Sequence, residues 1–175
     1  MFKKLKEKCK NLLILGRYNN LSGAFLLMWP CYWGVLSYST DLNKLISNLF
    51  FFSIGSIVMR GAGCCINDIF DKEFDKKVKR TKRRPLATGI TTTSEAIIFI
   101  VLQFLVGLLV VLQFNIITIL YSFFVIPFIF LYPLCKRITY FPQIVLGLIF
   151  NWGIIVGYLS QSNAFAFDII LLYSA

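Results

Sequence analysis

The chain has 175 residues, 58% of them hydrophobic, and its mean hydropathy of +0.74 is too high for an ordinary water-soluble domain. It carries 18 Lys and Arg against 8 Asp and Glu, for a formal net charge of +10, and it contains no His. The lack of His excludes His-based catalysis and His-ligated zinc sites. The five Cys include no CxxC pair and lie mostly in or near apolar stretches, so they indicate no disulfide framework.

Apolar stretches with few or no charges predict the membrane-spanning segments, because about 20 helical residues cross the hydrocarbon core of a bilayer. The predicted spans are, in chain order, residues 18–40, residues 45–67, two spans within residues 96–135, one within residues 138–167 and the beginning of another from residue 164. Arg60 interrupts the second span, and polar residues 113–115 separate the third from the fourth. A polar loop is expected at residues 160–163. We therefore expect an all-α, polytopic membrane helix bundle with five complete transmembrane helices and the start of a sixth.

The basic residues alternate between the two sides of this predicted bundle. Six lie before the first span, eight between the second and third, and two between the fourth and fifth, whereas the alternate loops hold only Lys44. The positive-inside rule therefore predicts a cytoplasmic N-terminus, with residues 1–17 as a basic cytoplasmic segment. Since membrane orientation accounts for the positive charge, we expect no nucleic-acid partner.

An acidic cluster follows the second span and is predicted to bind a metal ion. On a helix that continues from this span, four oxygen-bearing side chains share a stripe about 100° wide. They are Asn67, Asp68, Asp71 and Asp75. Glu73 points away, and Arg60 lies on nearly the same stripe, about 10 Å deeper in the membrane. A set of hard oxygen ligands without His or thiolate favours Mg²⁺. Waters and substrate phosphates usually complete the coordination shell of the ion.

The alternative is a solvated helix end in which Lys72 and Lys76 neutralise the acids. An aligned arginine inside the membrane favours a functional site, because intramembrane charge is expensive. Residues 80–89 add a basic segment that ends in Pro85 and Gly89 and is either a plain topology determinant or a second part of this site. Acids, metal and basic side chains together suit a diphosphate group.

Residues 60–71, Asp75 and residues 80–89 resemble the first signature of the UbiA prenyltransferases, with the spacing Asn-x3-Asp-x3-Asp followed by a basic Arg-Pro segment. These intramembrane enzymes move a polyprenyl group from its diphosphate to an aromatic ring. Residues 132–143, with Gly147 and residues 150–153, are similar to the 4-hydroxybenzoate branch of the family. The resemblance implies that residues 18–175 form a transmembrane prenyltransferase domain.

The resemblance also implies the roles of individual residues. Asn67, Asp71 and Asp75, supported by Asp68, would hold Mg²⁺ on the donor diphosphate. The catalytic cationic clamp would consist of Arg60, Lys136 and Arg137, although Lys136 or Arg137 could instead bind the acceptor carboxylate. Tyr132 and Asn151 are weaker substrate-binding candidates, since such residues more often only pack. The implied activity is polyprenyl transfer from polyprenyl diphosphate to the ring of 4-hydroxybenzoate in ubiquinone biosynthesis, in the bacterial inner membrane or its mitochondrial counterpart.

Two departures from the family pattern leave alternatives open. Residues 19–23 replace the family's usual polar-Pro-Ile-Gly segment in the first span. The family fold resembles a nine-helix bundle with a second Asp-rich motif between helices six and seven, so we expect this domain to be incomplete at its C-terminal end. Within the family, the acceptor could instead be haem, homogentisate or a naphthoate. If the protein is not an enzyme, the chain could be a fragment of a cation transporter or a non-catalytic membrane remnant.

Overall fold

The computed structural model describes residues 2–38, 41–138, 140–162 and 164–174, without the side chains of Lys4, Lys136 and Arg137. This part of the chain is all-helical, as predicted. Its helices are α1 (Phe2–Leu15), α2 (Ser22–Leu36), α3 (Leu42–Phe70), α4 (Lys72–Asp75), α5 (Thr93–Val111), α6 (Ile116–Phe124), α7 (Ile126–Ile138), α8 (Pro142–Gln161) and α9 (Asp168–Ser174).

Within the described residues, four helical segments are long and apolar enough to cross a membrane: α3, α5, α8 and the segment Ile116–Cys135, which joins α6 to most of α7. The first predicted span is the shorter helix α2, whose 15 residues rise about 22 Å. Pro127 accounts for the interruption between α6 and α7, because proline has no backbone N–H to donate and is favoured at a helix start. The expected sixth span begins as α9.

The polar break between the third and fourth spans has a capping function. Asn115 precedes α6, and its side chain accepts a hydrogen bond from the backbone N–H of Thr118. This satisfies one of the N–H groups that a helix start leaves without a partner. Because the break falls at residues 113–115 as predicted, α5 and α6 leave and re-enter the bundle at the same end.

The acidic segment departs from the predicted continuous helix. α3 ends at Phe70, and Asp71 caps it with φ −88° and ψ 0° before the short helix α4 begins. Aspartate is a poor helix former because its side chain competes for local hydrogen bonds, and Asp71 accepts one from Asn67. The prediction of one unbroken helix is therefore wrong at Asp71. The backbone N–H of Asp75 still donates to the Asp71 carbonyl at 2.8 Å, so Asp75 stays near the end of α3.

The N-terminal basic segment forms helix α1, which packs across the end of the bundle that holds the acidic segment. Leu15 is fully buried with Cys65 of α3 and Ile100 of α5. Lys8 forms an ion pair with Glu95 at 2.5 Å, where Glu95 belongs to the capping box at the start of α5. α1 is thereby fixed to both neighbouring helices.

Candidate functional site

A cavity of about 790 Å³ lies among α2, α3, α5, α6, α7 and α8. Along α3 its lining extends from Asp68 to Phe52, sixteen positions that span roughly 24 Å at about 1.5 Å per residue. Most of the wall is apolar, and the polar lining side chains concentrate where α3 ends. The cavity therefore suits an elongated molecule with one charged end and an apolar tail.

We call the charged region the polar end; it consists of Arg17, Asn67, Asp68 and Arg84, all of which line the cavity. Asp68 is 1% exposed, and both its carboxylate oxygens accept hydrogen bonds from Nη2 of Arg17, at 3.0 and 3.1 Å. Nη1 of Arg84 donates to Oδ1 of Asp68 at 2.9 Å and to Oδ2 of Asp75 at 2.7 Å. Arg84 thus bridges the two carboxylates at one end of the cavity, and Arg17 pairs with Asp68.

The backbone brings both arginines to Asp68 from distant parts of the sequence. Arg17 has a φ of 60°, a left-handed conformation that is uncommon outside glycine. This conformation belongs to a Schellman motif that ends α1, in which the Tyr18 N–H donates to the Leu13 carbonyl at 3.0 Å and the Arg17 N–H donates to the Ile14 carbonyl at 3.1 Å. Arg84 lies in the loop after α4, where the Thr81 hydroxyl donates to the Asp75 carbonyl at 3.2 Å. The basic loop is therefore folded back onto the acidic segment.

Asn67 and Asp71 form the part of this site that fits a divalent cation. Their side chains are joined by a hydrogen bond of 3.1 Å from Nδ2 of Asn67 to Oδ2 of Asp71, and both are partly exposed. Among the described residues, no group of three His, Cys, Asp or Glu side chains could hold a metal ion without further ligands. Since protein-bound Mg²⁺ usually takes one or two carboxylates together with waters and substrate phosphates, this pair of oxygen ligands is compatible with Mg²⁺.

Arg60 lies deeper in the cavity, seven positions from Asn67 and about 10 Å along α3. Its guanidinium group lies over the ring of Phe150, 5.8 Å from the centroid, in cation–π geometry. Gly23 of α2 packs against this guanidinium, and a Cβ atom at position 23 would overlap its Nε. Glycine at the start of α2 therefore leaves the room that Arg60 occupies.

The remaining predicted site residues differ in position. Tyr132 lines the cavity. Asn151 does not, and its Nδ2 donates to the carbonyl of Tyr173 at 3.4 Å, which is a packing role. The side chains of Lys136 and Arg137 lie outside the described residues, and their backbone forms the last turn of α7.

Glu73 lies away from the site, as its predicted angle around the helix indicated. It is exposed and pairs with Lys76 at 2.7 Å, and this hydrogen bond lowers the pKa of the Glu73 carboxyl. Lys76 therefore neutralises Glu73 rather than the acids of the cavity. The predicted alternative of lysine-paired acids applies to this residue, whereas Asp68 and Asp75 pair with arginines.

The model of the UbiA prenyltransferase family matches residues 27–175. The chain belongs to the UbiA prenyltransferase family. Its apolar helices and this membership make it an integral membrane protein.

Curated relatives include 4-hydroxybenzoate geranyltransferase 1 of Lithospermum erythrorhizon, which is 44% identical over 143 residues, covering 82% of this chain and 46% of that protein. The mitochondrial 4-hydroxybenzoate polyprenyltransferase of Drosophila melanogaster is 42% identical over 151 residues, or 86% of this chain and 38% of that protein. The 4-hydroxybenzoate octaprenyltransferase of Pseudoalteromonas translucida is 39% identical over 163 residues, or 93% and 56%. The chain spans about half the length of the curated relatives that it matches.

Two solved structures support the UbiA-like fold. The apo structure of a UbiA homolog from Aeropyrum pernix K1 superposes with a TM-score of 0.72 at 23% identity, covering 88% of this chain and 56% of that one. A digeranylgeranylglyceryl phosphate synthase gives a TM-score of 0.73 at 24% identity, covering 95% and 57%. At these identities the likeness concerns the arrangement of helices.

Arg17 and Arg84 are the polar-end residues whose roles the sequence did not predict. Arg17 precedes the residues that the UbiA family model matches, and Arg84 is one of several basic residues in its loop. The spacing of residues in the sequence cannot indicate which of these basic side chains pairs with Asp68, because the pairing depends on the path of the loop after α4. The Arg84-Pro85 step is the one available signal, since Pro85 and Leu86 are buried beside the acidic segment.

Proposed function

We propose that the protein transfers a polyprenyl group from a polyprenyl diphosphate to the aromatic ring of 4-hydroxybenzoate, as a step of ubiquinone biosynthesis. The observation that carries this proposal is the shape and charge of the cavity, which extends about 24 Å from Asp68 to Phe52, is charged at its polar end and is mostly apolar beyond it. A prenyl diphosphate has the same division into a charged head and an apolar tail. The names of the curated relatives support 4-hydroxybenzoate as the acceptor.

In this proposal the polar end binds the diphosphate together with Arg60, which lies deeper in the cavity. Arg17, Arg60 and Arg84 offer guanidinium groups, which match phosphate oxygens in geometry and charge. Asp68 and Asp75 position Arg17 and Arg84 rather than contacting the anion themselves. Asn67 and Asp71 would hold Mg²⁺, which would supply further positive charge to the diphosphate oxygens when bound.

The proposed reaction begins with cleavage of the bond between the allylic carbon and the diphosphate oxygen. The electron pair leaves with the diphosphate, whose growing negative charge the three arginines stabilise. The ring carbon ortho to the 4-hydroxybenzoate hydroxyl then attacks the allylic carbocation, and the proton on that carbon passes to the released diphosphate, which restores the aromatic ring. Apolar walls exclude water, which would otherwise capture the cation.

The acceptor is proposed to enter from the same end of the cavity. Lys136 and Arg137, in the last turn of α7, are candidates to bind its carboxylate or to complete the diphosphate clamp. Tyr132, one turn before them, lines the cavity and is a candidate to contact the ring. Asn151 is not part of this proposal, because it bonds to α9.

Replacing Asp71 by Asn is expected to reduce Mg²⁺-dependent prenyl transfer by about 10²-fold or more, because the variant loses the negative charge that attracts the cation. The assay follows prenylated product formed from radiolabelled 4-hydroxybenzoate and geranyl diphosphate in membranes that contain the protein, with and without EDTA. Glu73→Gln is the matched control, since it removes a nearby carboxylate that faces away. Wild-type turnover by the Asp71 variant, or Mg²⁺-independent turnover by the native chain, would contradict the metal assignment.

We further propose that the protein resides in a bacterial inner membrane or a mitochondrial inner membrane, with the polar end on the cytoplasmic or matrix side. The distribution of Lys and Arg supports this orientation. The hydrogen bond of 2.9 Å from Asn48 to Ser160 places the end of α8 beside the opposite end of α3. Residues 9 and 164 should therefore lie on different sides of the membrane.

Single-cysteine variants provide the test of this orientation. One variant keeps the exposed native Cys9, and the other carries Ala164→Cys, with the remaining cysteines replaced in both. In intact cells or right-side-out vesicles an impermeant thiol reagent should label position 164 alone, and Cys9 should react after permeabilisation. The reverse order of labelling would overturn the proposed orientation.

A further inference from the structure

Helix α1 carries an exposed apolar stripe along one side. At about 100° per residue, four of its residues share a sector about 80° wide. They are Phe2, Leu5, Cys9 and Leu13, all exposed, with exposed fractions of 87% for Phe2, 59% for Leu5 and 50% for Leu13. We call this set the α1 stripe. It faces away from the part of the bundle that the structure describes.

Three lysines border the α1 stripe on one side. Lys3, Lys6 and Lys10 lie about 40–100° around the helix from Phe2, and all three are exposed. Among the described residues, no ion pair neutralises any of these lysines. Glu7, the one acid of α1, lies beyond them, on the side away from the stripe. Positive charge beside an apolar stripe is typical of a helix that lies in the membrane–water interface.

The contacts of α1 with the bundle place it at the level of this interface. Lys8 pairs with Glu95, which belongs to the capping box at the start of α5. From Ala96 to its end, α5 is uncharged and mostly apolar. The middle of α1 therefore lies where α5 enters the bilayer.

The α1 stripe also adjoins the lipid-facing side of α5. A groove of about 180 Å³ lies between the two helices, and its lining includes Leu5 and Cys9 from α1 and Ile98 and Leu102 from α5. Ile98 is 61% and Leu102 54% exposed, on a helix long and apolar enough to cross a membrane. The acyl chains that surround α5 therefore reach the α1 stripe along this groove.

We propose that α1 binds the surface of an anionic phospholipid membrane, with its stripe at the boundary of the acyl chains and its three bordering lysines on the lipid phosphates. Burial of apolar surface draws the stripe inward. An anionic leaflet attracts each basic side chain near its surface, which favours anionic over zwitterionic lipids. Because α1 leads directly into Arg17, this contact also holds the segment that brings Arg17 to the polar end.

The native Cys9 is the probe that tests this proposal, since it lies on the stripe. The full chain, with its other cysteines replaced by alanine, is placed in nanodiscs of phosphatidylcholine alone or mixed with phosphatidylglycerol. The rate of reaction with an uncharged polyethylene-glycol maleimide is then measured. A stripe in the interface lies only about 5–10 Å deep, so the thiol stays reactive but is slowed.

The matched control carries the thiol on the other side of α1, as Glu7→Cys in a chain with Cys9→Ala. Position 7 lies about 160° around the helix from position 9. Because both probes are on the same helix, the ratio of their labelling rates cancels the effect of the lipid charge on thiol reactivity. We expect phosphatidylglycerol to lower the ratio of labelling at position 9 to that at position 7 by about tenfold or more, since three lysines contribute.

Two triple variants separate the α1 lysines from the total charge of the protein. The first replaces the lysines that border the stripe: Lys3→Gln, Lys6→Gln and Lys10→Gln. The second replaces three exposed lysines of the segment after α4: Lys77→Gln, Lys79→Gln and Lys82→Gln. Both lose the same formal charge, and gel filtration checks that both fold. The first variant should lose most of the effect of phosphatidylglycerol, and the second should keep it.

Loss of the effect in the first variant alone supports the proposal. A native ratio that is the same in both lipids would overturn it. Equal loss in the two triple variants would overturn it as well, because the net charge of the protein rather than α1 would then account for the effect. The assay contains no prenyl donor, so its outcome is independent of the proposed function.

Discussion

Replacement of Asp68 by Asn is expected to lower the melting temperature of the detergent-solubilised protein by roughly 6–12 °C. The Asp68 carboxylate is buried and accepts hydrogen bonds from Arg17 and Arg84. Removing one partner of a buried ion pair typically costs about 3–5 kcal/mol, because the other charge stays behind without compensation. We expect about 3 kcal/mol here, since the side chains of Arg17 and Arg84 are 34% and 22% exposed and Asp75 still pairs with Arg84.

The Asp68 variant should also bind a prenyl diphosphate more weakly, because the guanidinium groups of Arg17 and Arg84 lose the carboxylate that positions them. Glu73→Gln, which removes a carboxylate with a side chain 72% exposed, should change the melting temperature by less than about 2 °C. The melting temperatures of the two variants are compared by thermal scans that follow intrinsic tryptophan fluorescence. Equal shifts for Asp68→Asn and Glu73→Gln would show that the arginine network has no special part in stability.

The helices could be predicted from the sequence because a bilayer imposes a length and an apolar composition on each span. The departures have local causes. Pro127 divides one predicted span into α6 and α7, and Asp71 ends α3 where a continuous helix was expected. α1 was predicted as a basic segment without a structure, since its helix depends on Leu15 packing into the bundle.

The site was predictable where its contacts are local in sequence. Asn67 and Asp71 are four residues apart, so the helical repeat alone brings them together. The pairing of Asp68 with Arg17, 51 residues away, depends on how α1 and the following turn pack, and no periodicity encodes it. The stacking of Phe52 on Phe114 is equally non-local, because the two rings meet only when α3 packs against the end of α5.

The contact between α2 and α8 forms one wall of the cavity, and glycine makes it possible. A Cβ atom at Gly34 would overlap the backbone carbonyl of Ile154, and one at Gly157 would overlap the carbonyl of Cys31. Between membrane helices, small residues allow the close approach from which packing energy arises. Cys31 and Gly153 in this contact line the cavity, so any separation of the two helices widens the binding space.

Gly157→Ala is therefore expected to destabilise the protein by about 3 kcal/mol, the upper part of the usual range for overpacking, because backbone atoms rather than flexible side chains would have to move. Gly34→Ala should have a similar effect. The double variant should lose less unfolding free energy than the two single variants together, since the first substitution already separates α2 from α8. Gly147→Ala is the matched control on α8: a Cβ atom there meets nothing within 4 Å, and alanine favours the helix. Unfolding in mixed detergent, followed by circular dichroism, should show a lower midpoint for the variants at positions 34 and 157 and an unchanged or higher one at 147. A native midpoint for Gly157→Ala would mean that α2 and α8 are not packed through these glycines.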